Sequence, residues 1–187
     1  MRRITSALVL ALAAVPFALQ ACSTVPKGDE QKQVLNAETQ AAELRAKSKD
    51  PSLSRFFDSS YAYAVFPDVG KGALIFGGAY GRGQVYRGGA MIGYCDISQG
   101  SVGAAIGGQT FDELVFFKDK AAFDAFADGS FTFAAQATAV AINAGAGAAN
   151  DYRDGVAVFV LPRSGLMVEA AIGGQQLNYR PVSATQP

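Results

Sequence analysis

The sequence predicts an α+β fold in which N-terminal helices precede a strongly curled antiparallel sheet or a partly closed β-barrel. Helical spacing of apolar residues is confined to residues 29–60 and to one short insertion, whereas from residue 61 onward the apolar runs are short, aromatic and punctuated by glycine. The connections between these runs are too short for βαβ crossovers, which favours antiparallel pairing. Because so many strands would leave exposed edges in a flat sheet, we expect curling or partial closure.

The helices are predicted from their start signals. Asp29 is predicted as the N-cap of a first helix, with Glu30 in its first turn. The apolar stripe of this helix is predicted to contain Val34, Ala37, Ala41 and Leu44. Asp50 followed by proline predicts the start of a second helix, which would carry three core residues: Leu53, Phe56 and Phe57. Asp119 predicts the short inserted helix, and Gly129 its end.

The strands are predicted from β-branched and aromatic runs. Residues 131–142 are rich in alanine, but their alternation of apolar and polar side chains favours a strand over a helix. Glycines inside several runs are typical of bends and bulges. The other predicted strands are 61–66, 73–81, 83–87, 91–97, 101–109, 113–117, 156–161 and 166–179.

The composition excludes several functional classes. The chain has 187 residues and no histidine, which removes histidine-dependent nucleophilic catalysis and imidazole metal sites. Its 16 basic and 16 acidic residues give no surplus of positive charge for nucleic acid. Gly70-Lys71-Gly72 lacks the upstream glycine and the Ser/Thr of a phosphate-binding loop. We therefore predict a protein that is not an enzyme and uses no cofactor or metal.

The N-terminus is typical of an exported lipoprotein. Arg2 and Arg3 precede an uncharged run, residues 4–19, that is too short to span a membrane as a helix. Residues 19–22, Leu-Gln-Ala-Cys, resemble the bacterial lipobox, which predicts acylation of Cys22, palmitate included. Ser23 favours the outer membrane, with the folded part mostly on the periplasmic face. The predicted organisation is a signal peptide (1–21), an acylated tether (22–30) and one domain (31–187).

Cys95 is the second cysteine of the chain. Once Cys22 carries lipid, no intramolecular disulfide is possible, even in an oxidising compartment. The apolar neighbours of Cys95 favour a buried, unreactive thiol.

A charge asymmetry marks one predicted hairpin. No acidic residue lies between Asp68 and Asp96, whereas Lys71, Arg82 and Arg87 lie there together with tyrosines. Cations beside aromatic rings suit a lipid phosphate at a membrane surface. The same charges are also explained as edge-strand residues that discourage aggregation.

An ordered set of motifs resembles the SYLF domain family over roughly residues 31–180. The opening is Tyr63-Ala64-Val65-Phe66-Pro67 followed by Gly70-Lys71-Gly72-Ala73, and next come Gly81-Arg82-Gly83 and Val85-Tyr86-Arg87. The later motifs are residues 98–117, 131–145, 163–166 and 170–174. Eukaryotic members bind phosphoinositides and some are catalogued as actin-binding. For an exported bacterial chain the resemblance implies lipid binding without actin bundling.

The resulting expectation is a membrane-anchored lipoprotein with a non-catalytic domain that binds anionic phospholipid headgroups. The alternative is an envelope structural or protein-interaction module with no intrinsic lipid specificity. The expected headgroup contacts are Lys71, Arg82 and Arg87, with three cations of the first helix as alternatives: Lys32, Arg45 and Lys47.

Overall fold

The fold is that of a computed structural model, which describes residues 24–73, 76–129, 132–133 and 139–182. Side chains are not described for residues 102–105, 132–133 and 166–173. The predicted signal peptide and Cys22 lie outside the described residues, as do residues 131 and 134–138 of the predicted strand 131–142.

In the part of the chain that the structure describes, α-helices account for four segments. Helix α1 spans Asp29–Lys49, and a 3-10 turn at Pro51–Leu53 leads into α2 at Ser54–Ser59. Helix α3 spans Lys120–Ala127, and α4 is one turn at Ala146–Ala149. The predicted starts at Asp50 and Asp119 are confirmed, because each carboxylate accepts a hydrogen bond from a backbone N–H of the following turn.

Among the described residues the sheet contains six strands, two of which are very long. Strand β1 spans Ala62–Ala73, and β2 spans Phe76–Arg87. Strand β3 runs without a break from Ala90 to Phe117, and β6 from Val156 to Pro181. The short strands β4 and β5 are Thr132–Phe133 and Ala139–Ala141.

Strand β3 pairs with three other strands. Its first part lies antiparallel to β2, from Ala90 to Val102, and its last part lies antiparallel to β1, from Gly107 to Phe117. Its other edge pairs with β6 from Gly93 to Phe117. The β1–β2 hairpin is therefore bordered by β3 on both sides.

The predicted curled or partly closed barrel is not supported. The sheet path runs β1–β2–β3–β6–β4 and ends at β4, so the α+β architecture has an open sheet. The sheet is also mixed, since β5 pairs with β6 in parallel. Runs predicted as separate strands merge into β3, of 28 residues, and β6, of 26 residues. A sheet of fewer, longer strands has fewer unpaired edges, so less curling is needed to protect them.

Each face of the sheet buries its own apolar cluster. One face packs Phe66, Val115 and Leu177 with Phe123 and Phe126 of α3. The opposite face, which we call the α1 face, packs residues of β1, β3 and β6 against α1, the 3-10 turn and α2. Cys95 is fully buried and free, and burial raises the pKa of its thiol, as the predicted unreactive cysteine requires.

Helix α1 uses a different stripe from the predicted one. Its buried residues are Leu35, Thr39, Ala42 and Ala46, whereas Val34 is 52% exposed and Leu44 is 68% exposed. Two alanines and a threonine let the helix axis approach the sheet closely. The Thr39 hydroxyl donates to the Leu35 carbonyl at 2.7 Å, so it is buried without an unsatisfied donor.

Candidate functional site

A groove lies between the C-terminal part of α1 and β6. Its volume is about 650 Å³, and its lining combines cations with apolar side chains: Leu44, Arg45, Ser48, Lys49, Leu161, Pro162 and Arg163. We call it the α1–β6 groove. Such a mixture suits a ligand that has both a negative charge and hydrocarbon.

A buried carboxylate holds the two arginines of the groove. Asp112 of β3 is fully buried, and its Oδ2 accepts a 2.9 Å bond from Arg45 Nε. Its Oδ1 lies 3.8 Å from Arg163 Nη1, which also lies 3.2 Å from Asp68 Oδ1. Because a buried charge needs partners, these pairs fix the arginines in place. Arg45 and Arg163 still keep 35% and 37% of their side chains exposed.

Two β-bulges bring these groups together. The β1–β3 register shifts between Phe66 and Val69, and Asp68 in that bulge has φ of 54° and donates its N–H to Asp112 Oδ1 at 3.0 Å. The β3–β6 register shifts at Pro162, which makes Arg163 the extra residue of a second bulge. Bulges redirect side chains, and here both turn charged groups toward Asp112.

Gly165 allows the second bulge to form. Its φ is 89°, and a Cβ at this position would lie 2.1 Å from the Gly108 carbonyl oxygen. Only glycine meets both conditions. The groove therefore depends on a backbone feature two residues beyond Arg163.

Lys71, the first predicted headgroup contact, lies inside the protein. It is 7% exposed, and its charge lowers the pKa of the buried Glu113. Burial has the larger effect and raises the pKa of Glu113 to about 7, although Gln175 Nε2 also donates to Glu113 Oε1 at 2.7 Å. In this arrangement Lys71 faces a carboxylate rather than an external lipid.

Arg82 and Arg87 lie at separate places along β2. Arg82 Nε donates to the Tyr80 hydroxyl at 3.3 Å and borders a second groove, against the N-terminal part of α1. Arg87 Nη1 donates to the Tyr61 hydroxyl at 3.1 Å. Five residues of strand separate the two arginines by about 17 Å. Lys71 pairs with Ala79, three residues before Arg82, so Lys71 and Arg82 point to opposite faces.

The α1 cations also lie apart from one another. Lys32 pairs with Asp29 at 3.2 Å, and Lys47 lies 3.8 Å from Glu43 and 4.0 Å from the centre of the Phe57 ring. Of the six predicted lipid contacts, only Arg45 lines the α1–β6 groove. The lipid-binding role of all six stays a prediction.

The predicted headgroup contacts did not include Lys49, Arg163 or Leu44. Arg163 belongs to a motif of the family resemblance, and that was the available signal. Its proximity to Arg45 depends on two bulges and on pairing between residues that are distant in sequence. No spacing rule reveals such a contact.

The described part of the chain contains neither a metal-binding cluster nor a membrane-spanning helix. No group of three or more Cys, Asp or Glu side chains in it is arranged to hold a metal ion. Within the same residues, every helix is too short or too polar to cross a bilayer.

Comparison with known proteins found one informative relative. No family model matches the chain. The chain is similar to Beta cell expansion factor A from Aeromonas veronii. The two are 30% identical over 148 residues, which is 79% of this chain and 56% of Beta cell expansion factor A. This chain therefore spans about half the length of that curated relative, and the similarity does not by itself transfer the relative's activity.

Proposed function

We propose that the chain is a SYLF-family lipoprotein of the bacterial outer membrane, with a non-catalytic domain that binds anionic lipid headgroups. The ordered motifs of residues 63–174 support the family assignment, and the lipobox-like residues before Cys22 support the anchor. The observation that carries the headgroup site is the α1–β6 groove, where three cations lie beside an exposed leucine.

The groove has the charge that a headgroup site needs. Arg45 and Arg163 contact Asp112 and Asp68, and Lys49 lines the same groove. Three cations against two carboxylates leave one positive charge in excess. Arginine guanidinium groups can donate to two phosphate oxygens at once. The carboxylates already hold both arginines in place, so a phosphate would bind to guanidinium groups whose positions are fixed beforehand.

Leu44 gives the groove an apolar wall. Its side chain is 68% exposed on the same helix turn as Arg45. An exposed leucine beside cations fits an interface between headgroups and acyl chains. The acyl anchor would keep the domain close to lipid, so weak headgroup affinity is sufficient.

Vesicle sedimentation with residues 23–187 tests the headgroup site without the anchor, because this segment contains every described element. We expect binding to vesicles of anionic phospholipid, weaker binding to zwitterionic vesicles, and loss of binding as salt rises. Lys49→Glu should weaken binding at least fivefold, since each cation near an anionic surface contributes about 1 kcal/mol. Lys118→Glu is the matched control, an exposed lysine outside the groove, and should change binding less.

The outcomes separate lipid binding from the alternative. Equal losses for Lys49→Glu and Lys118→Glu would show that net charge, rather than the groove, drives binding. Absence of vesicle binding at low salt would reject the headgroup site and favour the protein-interaction module.

Metabolic labelling with palmitate tests the anchor separately. The wild-type chain should incorporate label, Cys22→Ser should not, and Cys95→Ser should incorporate it as the wild type does. Label in the Cys22→Ser variant would reject the anchor position.

A further inference from the structure

Part of the α1 face of the sheet is not covered by any other described element. Cross-strand pairing places Gly72, Gly78 and Gly100 side by side, and the row continues to Gly108 and Gly174. The row crosses five strand segments, about 20 Å at about 4.8 Å per strand. We call this surface the glycine face.

Large apolar side chains flank the row. Phe76 is 76% exposed, Ile106 is 65% exposed, and Tyr80 is 36% exposed. Each lies two residues from a glycine of the row, so alternation places all three on the glycine face. The other described side chains there are small or polar and uncharged: Ser98, Thr110, Ser164 and Gln176. Exposed aromatic and aliphatic groups on an uncharged surface indicate a binding surface.

The start of the described chain lies at the border of this face. The Thr24 hydroxyl donates to Asp96 Oδ2, Asp96 Oδ1 accepts from Asn178 Nδ2 at 2.8 Å, and Pro26 is buried. Asp96 precedes Gly100 by four residues on β3, about 13 Å along the strand. Two residues of chain join Cys22 to Thr24, a span of at most about 7 Å. An acyl group on Cys22 would therefore be tethered to the described chain close to the Thr24–Asp96 contact.

Cations border the same face. Arg82 follows Tyr80 by two residues on β2, and Arg163 adjoins Ser164, whose hydroxyl lies 2.7 Å from the Thr110 hydroxyl across the sheet. An apolar surface bordered by cations complements an anionic bilayer, whose charge lies at the headgroups and whose interior is hydrocarbon.

We propose that the glycine face is the membrane-contacting surface of the domain. Phe76 and Ile106 enter the boundary between headgroups and acyl chains, and Arg82 remains at headgroup level. The occupant is the lipid bilayer that holds the anchor. The inference rests on the proposed function, because the proposed lipid anchor keeps the domain at a bilayer, and the exposed apolar side chains bordered by cations select this face.

Tryptophan fluorescence gives a direct test, since the chain contains no tryptophan. Phe76→Trp and Ile106→Trp each introduce one reporter into the glycine face. Val182→Trp is the matched control, because Val182 is 49% exposed and its N–H donates to the Ile92 carbonyl, which lies on β3 ten residues from Val102, the partner of Phe76. The acylated full chain of each variant is reconstituted in anionic vesicles with and without brominated acyl chains.

A reporter that enters about 5–10 Å into the interface should show a blue shift and strong quenching by bromine. We expect F76W and I106W to lose several-fold more fluorescence than V182W. Equal quenching of all three variants, or strongest quenching of V182W, would overturn the proposal. A concentration-dependent blue shift of F76W without lipid would also overturn it, because a second copy would then cover the face.

A second pair of variants separates this inference from the headgroup site. In the unacylated chain of residues 23–187, Phe76→Asp should weaken vesicle binding several-fold more than Val182→Asp. If Lys49→Glu weakens binding but the two aspartate variants behave alike, the groove binds lipid and the glycine face does not. If the aspartate variants differ but Lys49→Glu has no effect, the headgroup site fails and the membrane-contacting face stands.

Discussion

Replacing Glu113 by glutamine should stabilise the domain at neutral and alkaline pH. The Glu113 side chain is 4% exposed, and burial raises its pKa to about 7 in spite of the Gln175 hydrogen bond and the Lys71 charge. Folding above that pH therefore carries the cost of burying a carboxylate. Glutamine matches the protonated acid in shape and can still accept the hydrogen bond from Gln175.

The magnitude follows from the pKa difference. A change from 4.5 to about 7 corresponds to about 3 kcal/mol, at about 1.4 kcal/mol for each pKa unit. Because the folded-state pKa is the higher one, this stability is fully present below pH 4.5 and is lost as the pH rises through about 7. We expect Glu113→Gln to raise the free energy of unfolding at pH 8 by up to about 3 kcal/mol, and to change it little at pH 4.5.

Urea denaturation at a series of pH values measures this effect. Glu38→Gln on α1 is the matched control, since Glu38 is exposed and its replacement should change the free energy of unfolding little. Destabilisation by Glu113→Gln at pH 8 would refute the reasoning. It would mean that ionised Glu113 stabilises the buried Lys71, whose charge the glutamine leaves without compensation.

Two further substitutions test the packing of the fold. Gly83→Ala should lower the free energy of unfolding in urea by about 1–3 kcal/mol, because a Cβ there would lie 2.3 Å from the Val65 carbonyl oxygen. In the control variant Gly70→Ala the new Cβ meets no atom within 4 Å, so the free energy of unfolding should change little. Asp50→Asn should cost about 1–3 kcal/mol above pH 4, because the Asp50 carboxylate accepts from Gly147 N–H at 2.6 Å. Burial raises the pKa of Asp50, but the hydrogen bonds to its carboxylate together have the larger effect, so the net pKa lies below the ordinary value. The stability that the Asp50 carboxylate contributes should therefore be lost only as the pH falls through that lowered pKa. Equal effects of the two glycine variants, or a neutral Asp50→Asn, would contradict these accounts.

Local signals in the sequence predicted the local structure well. Asp119 and Asp50 started their helical segments as expected, because a capping carboxylate acts over two or three residues. The stripe of α1 was wrong because hydrophobicity favours large side chains, whereas the close helix–sheet contact at Ala42 and Ala46 favours small ones. Val34, a residue of the predicted stripe, is exposed instead.

Contacts between distant residues were not predictable from the sequence. Residues 91–97, 101–109 and 113–117 were predicted as three separate strands, yet β3 runs through all of them without a break. Arg45 and Asp112 are 67 residues apart, and their contact depends on how α1 crosses the sheet. The same lack of register information placed Lys71 among surface cations, although its strand position buries it.

The length of β3 bears on how the protein acquires its structure. One edge of β3 pairs with β1, where Ala62 lies opposite Phe117. The other edge of β3 is paired only when β6, which ends at Pro181, has been added. Pairings between residues so distant in sequence form slowly, because the chain loses the entropy of closing a long loop before the pairing stabilises it. A chain that has not yet gained β6 would therefore leave one whole edge of β3 unpaired, so the sheet cannot be completed until nearly all of the described chain is available.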